Sequence, residues 1–288
     1  NTHAHILRAL PWMLMTRRCF CAVALVLTLL CSCRPPTLVP RLRGGVAAAS
    51  AAEPLAPMTV AMRRGISTLK DAGASRAFYY DAVDPEQASR EEQVNYFNAV
   101  GAHNNGWQLE PEIGARLLAS LRLTEEDVFM DLGCSTGAFA LLAALLTPVR
   151  KVIGLELSPS RREEAEAARL RLAESMPEVA QRVEFLQADF NCRDPAVDKV
   201  LQTATVAYYA SSSLADFDKS TGEAVCKPVE DAPVVAALTP GTRLLSLSVL
   251  APEFEIWNQV ELVGAFEMGT AYSVKKRRCR IALEYKIL

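Results

Sequence analysis

Hydrophobic positions change their rhythm twice along this chain. Cys19 to Cys33 is almost unbroken apolar sequence, whereas Met58 to Gly106 is polar and helix-prone, with breaks at Asp84-Pro85 and Asn104-Asn105-Gly106. From Val128 onward, short apolar runs alternate with helical patterns. Val128–Leu132 (VFMDL) reads as a buried strand running into a glycine turn, and Thr136–Leu146 as an apolar helix stopped by Pro148. Lys151–Leu157 (KVIGLEL) is a second strand. Ser158-Pro159 then opens a charged helix to Met176, with Ser at the cap and Pro at the first helical position. Val183–Leu186, Thr203–Tyr209 and Arg243–Leu250 read as three further strands. Strands apolar on both faces and alternating with helices predict a parallel sheet covered on both sides. Gln259–Phe266 and Arg280–Ile287 differ, because only a turn region separates them, and they predict a closing antiparallel hairpin. The expected fold is therefore α/β: a doubly wound, mostly parallel seven-stranded sheet with a C-terminal antiparallel hairpin and a helical N-terminal cap.

Composition adds a boundary. The 288 residues are 50% hydrophobic and 22% charged with a net charge of −2, which excludes a disordered chain, a collagen and a small disulfide scaffold. Residues 1–52 carry six arginines and no acid, which leaves residues 53–288 at −8. A mildly acidic body is not drawn as a whole to nucleic acid. Met15-Thr-Arg-Arg followed by the apolar stretch has the pattern of a secretory signal peptide, with Met15 as a better start than Asn1. The run is shorter than the roughly 20 residues that a membrane helix needs. The acid-free, Arg/Ala/Ser/Pro-rich stretch to Ala52 resembles a transit extension. Residues 1–52 are thus expected to be a removable leader to the secretory pathway or a plastid; a mispredicted exon, and hence a nuclear protein, is the alternative. No stable membrane anchor is expected after its removal. Residues 53–106 form the expected helical cap and 107–288 the expected α/β domain. Cys134, Cys192, Cys226 and Cys279 lack metal-ligand spacing, so no metal site is expected.

Ligands of such sheets bind beyond the carboxyl ends of the strands. The first strand ends in Asp131-Leu-Gly133-Cys-Ser135-Thr-Gly137, where glycines allow a tight turn and close backbone approach. A carboxylate two residues before the first glycine repels a pyrophosphate but suits an ammonium group or a sugar hydroxyl. The second strand ends in Glu156, where an acid can take both ribose hydroxyls. The third ends in Asp189-Phe190, offering a carboxylate to an adenine amino group and a ring to its face. Any one of these acids read alone is a cap or turn residue. Three in this order point to S-adenosylmethionine.

The set resembles the class I, Rossmann-like methyltransferase pattern, with Ser135 where that family usually has its middle glycine. A more specific resemblance covers residues 95–288. Leu121-Arg-Leu-Thr-Glu-Glu-Asp-Val-Phe-Met-Asp-Leu-Gly is similar to the approach to the methyl-donor site in the disruptor-of-telomeric-silencing family, the histone lysine methyltransferases without a SET domain. Pro240-Gly-Thr-Arg243, Leu250-Ala-Pro252-Glu-Phe254 and Gly269-Thr-Ala-Tyr272-Ser273 resemble its later segments. The family's Tyr-Gly-Glu turn falls by spacing on Gly106-Trp107-Gln108, and its paired asparagines on Ala210-Ser211. The resemblance implies that Gln108 helps bind the cofactor and that Trp107, Tyr209 and Ser211 lie on the acceptor side. It also implies protein lysine methylation, with a histone in a nucleosome as the specific partner.

Losing a proton from lysine (pKa about 10.4) at neutral pH costs about 4–5 kcal/mol, which a narrow apolar channel lowers by desolvation. Trp107, Tyr208, Tyr209 and Tyr272 could line such a channel or could be ordinary core. His103, the one histidine outside the leader, reads as a solvated loop residue, and the missing strong base favours a nitrogen acceptor. Lys275–Arg280, the one basic cluster of the body, reads as a solvated turn or as a contact for DNA or an acidic surface. Arg161–Arg171 reads as an exposed helix face laced with ion pairs. Two other readings remain: an organellar methyltransferase with a small-molecule or non-histone substrate, and a non-catalytic methyltransferase-like binding module.

Overall fold

In a computed structural model, the elements run along the chain as follows. Strand β1 (Glu53–Pro54) and helix α1 (Val60–Asp71) come first, then α2 (Pro111–Ser120), β2 (Val128–Leu132), α3 (Ala138–Leu146) and β3 (Lys151–Glu156). Next are α4 (Pro159–Ser175), α5 (Pro177–Ala180), β4 (Val183–Gln187), α6 (Pro195–Leu201) and β5 (Val206–Tyr209). A two-residue pair, β6 (Asp216–Phe217) and β7 (Ala224–Val225), precedes α7 (Asp231–Ala237), β8 (Arg243–Ser246), β9 (Val260–Glu267) and β10 (Ile281–Ile287). The structure describes residues 52–71, 109–190, 194–209, 216–217, 224–225, 231–247, 250, 258–268 and 281–288. The expected leader, His103, Trp107, Gln108, Ala210, Ser211, Tyr272 and Lys275–Arg280 lie outside the described residues.

The main sheet has the order β1-β9-β10-β8-β5-β2-β3-β4. From β8 through β4 every pairing is parallel, while β10 runs antiparallel between β8 and β9. The α/β doubly wound architecture and the C-terminal antiparallel pair are as expected. The eighth strand is β1, two residues that lie parallel to β9 at the sheet edge. No apolar run announces it.

Two core clusters lie on the two faces of the sheet. Phe129, Val152, Val183, Phe185, Val206 and Tyr208 pack with α1 to α4 on one face. Met130, Leu132, Ile153, Leu155, Ala207 and Tyr209 pack with α6 and α7 on the other. Strand residues alternate between faces, so each strand must be apolar on both. Helix α1 reaches this core through Met62, Ile66 and Leu69, and Ala52–Leu288 forms one compact unit. Among the described residues no helix is long and apolar enough to cross a membrane.

Element boundaries shift where side chains or dihedrals intervene. Helix α3 starts at Ala138 instead of Thr136, because its cap Gly137 has φ +79°, a conformation no helical residue adopts. Strand β5 starts at Val206 instead of Thr203. The Thr203 hydroxyl donates to Val200 O behind α6 (2.7 Å), and the Thr205 hydroxyl donates to Asp127 Oδ1 (2.7 Å). Ser158 caps α4 as expected, accepting from Arg161 N at 3.3 Å. The expected ion-pair face of α4 is present at Glu166–Arg169, but Arg161 is buried and does not belong to that face.

Arg182, just ahead of edge strand β4, reaches under α3. Its guanidinium donates to Ala144 O, a carbonyl in the last turn of α3, and to Thr147 O (3.1 Å) and Val149 O (2.7 Å) in the segment just beyond it. Hydrogen bonds to a charged group contribute about 1.5–3 kcal/mol. Arg182→Met should therefore lower the unfolding free energy by about 2 kcal/mol, read as a reduced urea midpoint at unchanged m-value.

Candidate functional site

The turn after β2 lies over the end of β3 because its backbone has been given acceptors there. Gly133 N and Cys134 N both donate to Leu155 O at 2.9 Å. Ser135 N donates to Glu156 Oε2 at 2.8 Å, while Glu156 Oε1 accepts from Ser158 N at 2.9 Å. Glu156 therefore joins the glycine turn to the start of α4. The turn needs left-handed backbone at Gly133 (φ +76°), Ser135 (φ +52°) and Gly137 (φ +79°). Ser135 adopts the backbone that a glycine would take, at a cost of about 1–2 kcal/mol.

Below the turn, Asp131, Gly154 and Phe185 stand in register on β2, β3 and β4. A Cβ on Gly154 would lie 2.6 Å from the Phe185 ring and 2.8 Å from Cys134 Sγ. A Cβ on Gly137 would lie 2.5 Å from the same ring and 2.8 Å from Ala165 Cβ. One ring thus fills the room left by two glycines, and the turn is seated on it. Gly154 and Phe185 were not among the expected site residues. A glycine inside an apolar strand signals close approach of something, but does not say what approaches.

Asp131 is the least compensated group here. It is 2% exposed on the face beneath α3, and its Oδ2 has no hydrogen-bond partner among the described residues. Burial first, and the Glu156 carboxylate second, push its pKa up to about 8, against a hydrogen bond from the Ala140 backbone in the first turn of α3. Burial beside the same two carboxylates also raises the Cys134 thiol well above its usual range. Gly133, in contrast, is exposed, and a Cβ there would meet nothing within 4 Å. An orphaned buried acceptor below an open glycine turn fits a ligand that brings a cation and hydrogen-bond donors.

At the end of β4, Ala188 N donates to Glu156 O (3.0 Å), which holds Asp189 and Phe190 next to the end of β3. Both are partly exposed, and the Phe190 ring meets Tyr209 edge-on at 6.0 Å between centroids. Asp131, Gly133, Ser135, Gly137, Glu156, Asp189 and Phe190 are thus gathered around the ends of three neighbouring strands. Tyr208 and Tyr209 do not share a channel wall. Consecutive strand residues face opposite ways, so Tyr208 packs on Phe139 at 4.5 Å and Tyr209 on the opposite face, both buried.

The family model described as "Histone methylation protein DOT1" matches residues 86–268, more than half of the chain. The chain belongs to the DOT1 family. This DOT1-family protein is a class I methyltransferase that uses S-adenosylmethionine. Comparison with curated proteins gives no match. Among solved structures it is similar to an RNA methyltransferase from Salinibacter ruber in complex with S-adenosylhomocysteine (19% identity over 63% of this chain and 94% of that one, TM-score 0.37). It is also similar to a TehB-like methyltransferase from Corynebacterium glutamicum (14%, 71% and 100%, TM-score 0.42). A third is the glycopeptide N-methyltransferase MtfA complexed with S-adenosylmethionine (16%, 60% and 92%, TM-score 0.42).

Two outcomes check this geometry in the DOT1-family chain. Gly154→Ala should lower stability by about 1–3 kcal/mol through overpacking and weaken cofactor binding, with Phe185→Leu added in the same chain restoring part of both. Asp131 binds its proton more tightly in the native state than unfolded. Its contribution to stability is therefore full below about pH 4 and falls as pH rises towards about 8. Asp131→Asn should remove that slope, seen by comparing urea unfolding of the two proteins from pH 5 to 8.

Proposed function

We propose that this chain transfers methyl groups to the ε-amino group of lysine in a histone-type protein substrate. The observation that carries the reading is the DOT1 family match across residues 86–268. When bound, S-adenosylmethionine supplies a methyl group already activated for transfer, so the protein's share is alignment and control of protonation. In this reading Asp131 answers the ligand's ammonium, and Glu156 uses its remaining lone pairs for the ribose hydroxyls. Asp189 and Phe190 take the adenine, by its amino group and its face. Gly133, Ser135 and Gly137 keep the backbone close to the ligand, and Gln108 is assigned to the cofactor by the family resemblance.

On the acceptor side we assign Trp107, Tyr209 and Ser211. An incoming lysine must lose its proton, at a cost of about 4–5 kcal/mol in water at neutral pH, and an apolar surrounding reduces that cost. A second reading rests on residues 1–52, acid-free with an apolar run after two arginines: delivery to an organelle, where the substrate is a non-histone protein or a small molecule. A fluorescent fusion of the full chain separates the two, since a plastid signal is incompatible with a nucleosomal substrate.

The test is label transfer from S-adenosylmethionine to intact nucleosomes and, separately, to an organelle extract. Label on a histone lysine supports the first reading, and label only in the extract replaces it with the second. Asp131→Ala and Glu156→Ala should each weaken cofactor affinity at least tenfold, and unchanged affinity in both would remove the assigned cofactor roles.

A further inference from the structure

Two carboxylates share one buried face of the sheet, yet the protein has compensated only one of them. Glu156 accepts a backbone N–H on each oxygen, from Ser135 (2.8 Å) and Ser158 (2.9 Å). Both of its oxygens are thus already met by backbone donors. Asp131 accepts from the Ala140 backbone, while its Oδ2 is buried with no donor among the described residues. Cys134 in the turn is a buried thiol whose own ionisation both carboxylates oppose, and Tyr208 is the register partner of Asp131 on β5. Among the described residues, the charge acting on Asp131 is Glu156's, another anion. Asp131 and Glu156 lie on one face of neighbouring strands, two register positions apart, and burial together with the Glu156 carboxylate disfavours ionisation of Asp131.

We propose that this methyltransferase takes up its cofactor in exchange for a proton: Asp131 holds the proton in the ligand-free protein and gives it up when the ligand's ammonium arrives. The proposal rests on the assignment of Asp131 to that ammonium. The exchange balances: a carboxylic acid and an ammonium ion become a carboxylate–ammonium pair, and one proton leaves to solvent. The pair is then neutral as a unit beside Glu156, so the two carboxylates no longer repel without compensation. The consequence is a cofactor affinity that follows pH. It tightens about tenfold per pH unit below about pH 8, where Asp131 is still protonated in the free protein. The leaving product, which keeps the same ammonium, is expelled by the reverse exchange and is held less tightly at lower pH.

Calorimetric titration of the full chain with S-adenosylmethionine at pH 6.5, in buffers of different ionisation enthalpy, counts the protons. The ligand's own ammonium, an α-amino group titrating near 7.7–8.0, keeps its proton there. One proton released per ligand is expected, together with a Kd about tenfold larger at pH 6 than at pH 7. Methylthioadenosine, which has the nucleoside but no ammonium, should bind without releasing a proton. Asp131→Asn should bind S-adenosylmethionine with no proton release and a flat pH profile. Binding of S-adenosylmethionine without proton release, or equal release with methylthioadenosine, overturns the exchange and leaves the cofactor site standing. Failure of both ligands to bind overturns the site itself, and the exchange with it.

Discussion

Three backbone N–H groups of one turn end on one strand, and the architecture of the site follows from that constraint. Gly133 and Cys134 donate to Leu155 O, and Ser135 donates to the Glu156 side chain. To make these bonds the turn must run low over the sheet with three left-handed residues. Running low requires that β3 have no side chain at position 154 and that Gly137 have none above Phe185. The same descent puts the start of α3 over Asp131 and closes it off from water. A site with an unpaired acceptor is thus the cost of a turn held by its own backbone.

Much of this was legible in the order of residues. Strands buried on both faces appear as continuous apolar runs, which is why β2, β3, β4, β8 and the β9–β10 pair could be located before any coordinates. The acids at positions 131, 156 and 189 could be placed at strand ends because each closes an apolar run. Their convergence then follows from parallel neighbours in the sheet. Side-chain competition for backbone groups was less legible. Thr203 and Thr205 look like strand residues by composition, yet their hydroxyls tie off the end of α6 and the start of β2. Strand β1 is a glutamate and a proline, and only the exposed edge of β9 makes it a strand.

The aromatic residues show where pattern alone stops. Tyr208 and Tyr209 sit together in sequence and invite a reading as one wall, but the twofold alternation of a strand sends them to opposite cores. Gly154 invited no reading, since a missing side chain says nothing about which neighbour uses the space. Its meaning comes from Phe185 and Cys134, 31 residues ahead and 20 behind in the chain, and only the fold brings them together.

Arg182 extends the same economy to the far end of the sheet. Its guanidinium binds the end of α3 to the approach of β4, while the turn binds the start of α3 to β3. Helix α3 is therefore fastened at both ends to strands that follow it in the chain. In hydrogen-exchange terms, β2, α3, β3 and β4 open as one cooperative unit, because no member can leave without breaking a fastening of another. The slowest amides should then mark this half of the molecule.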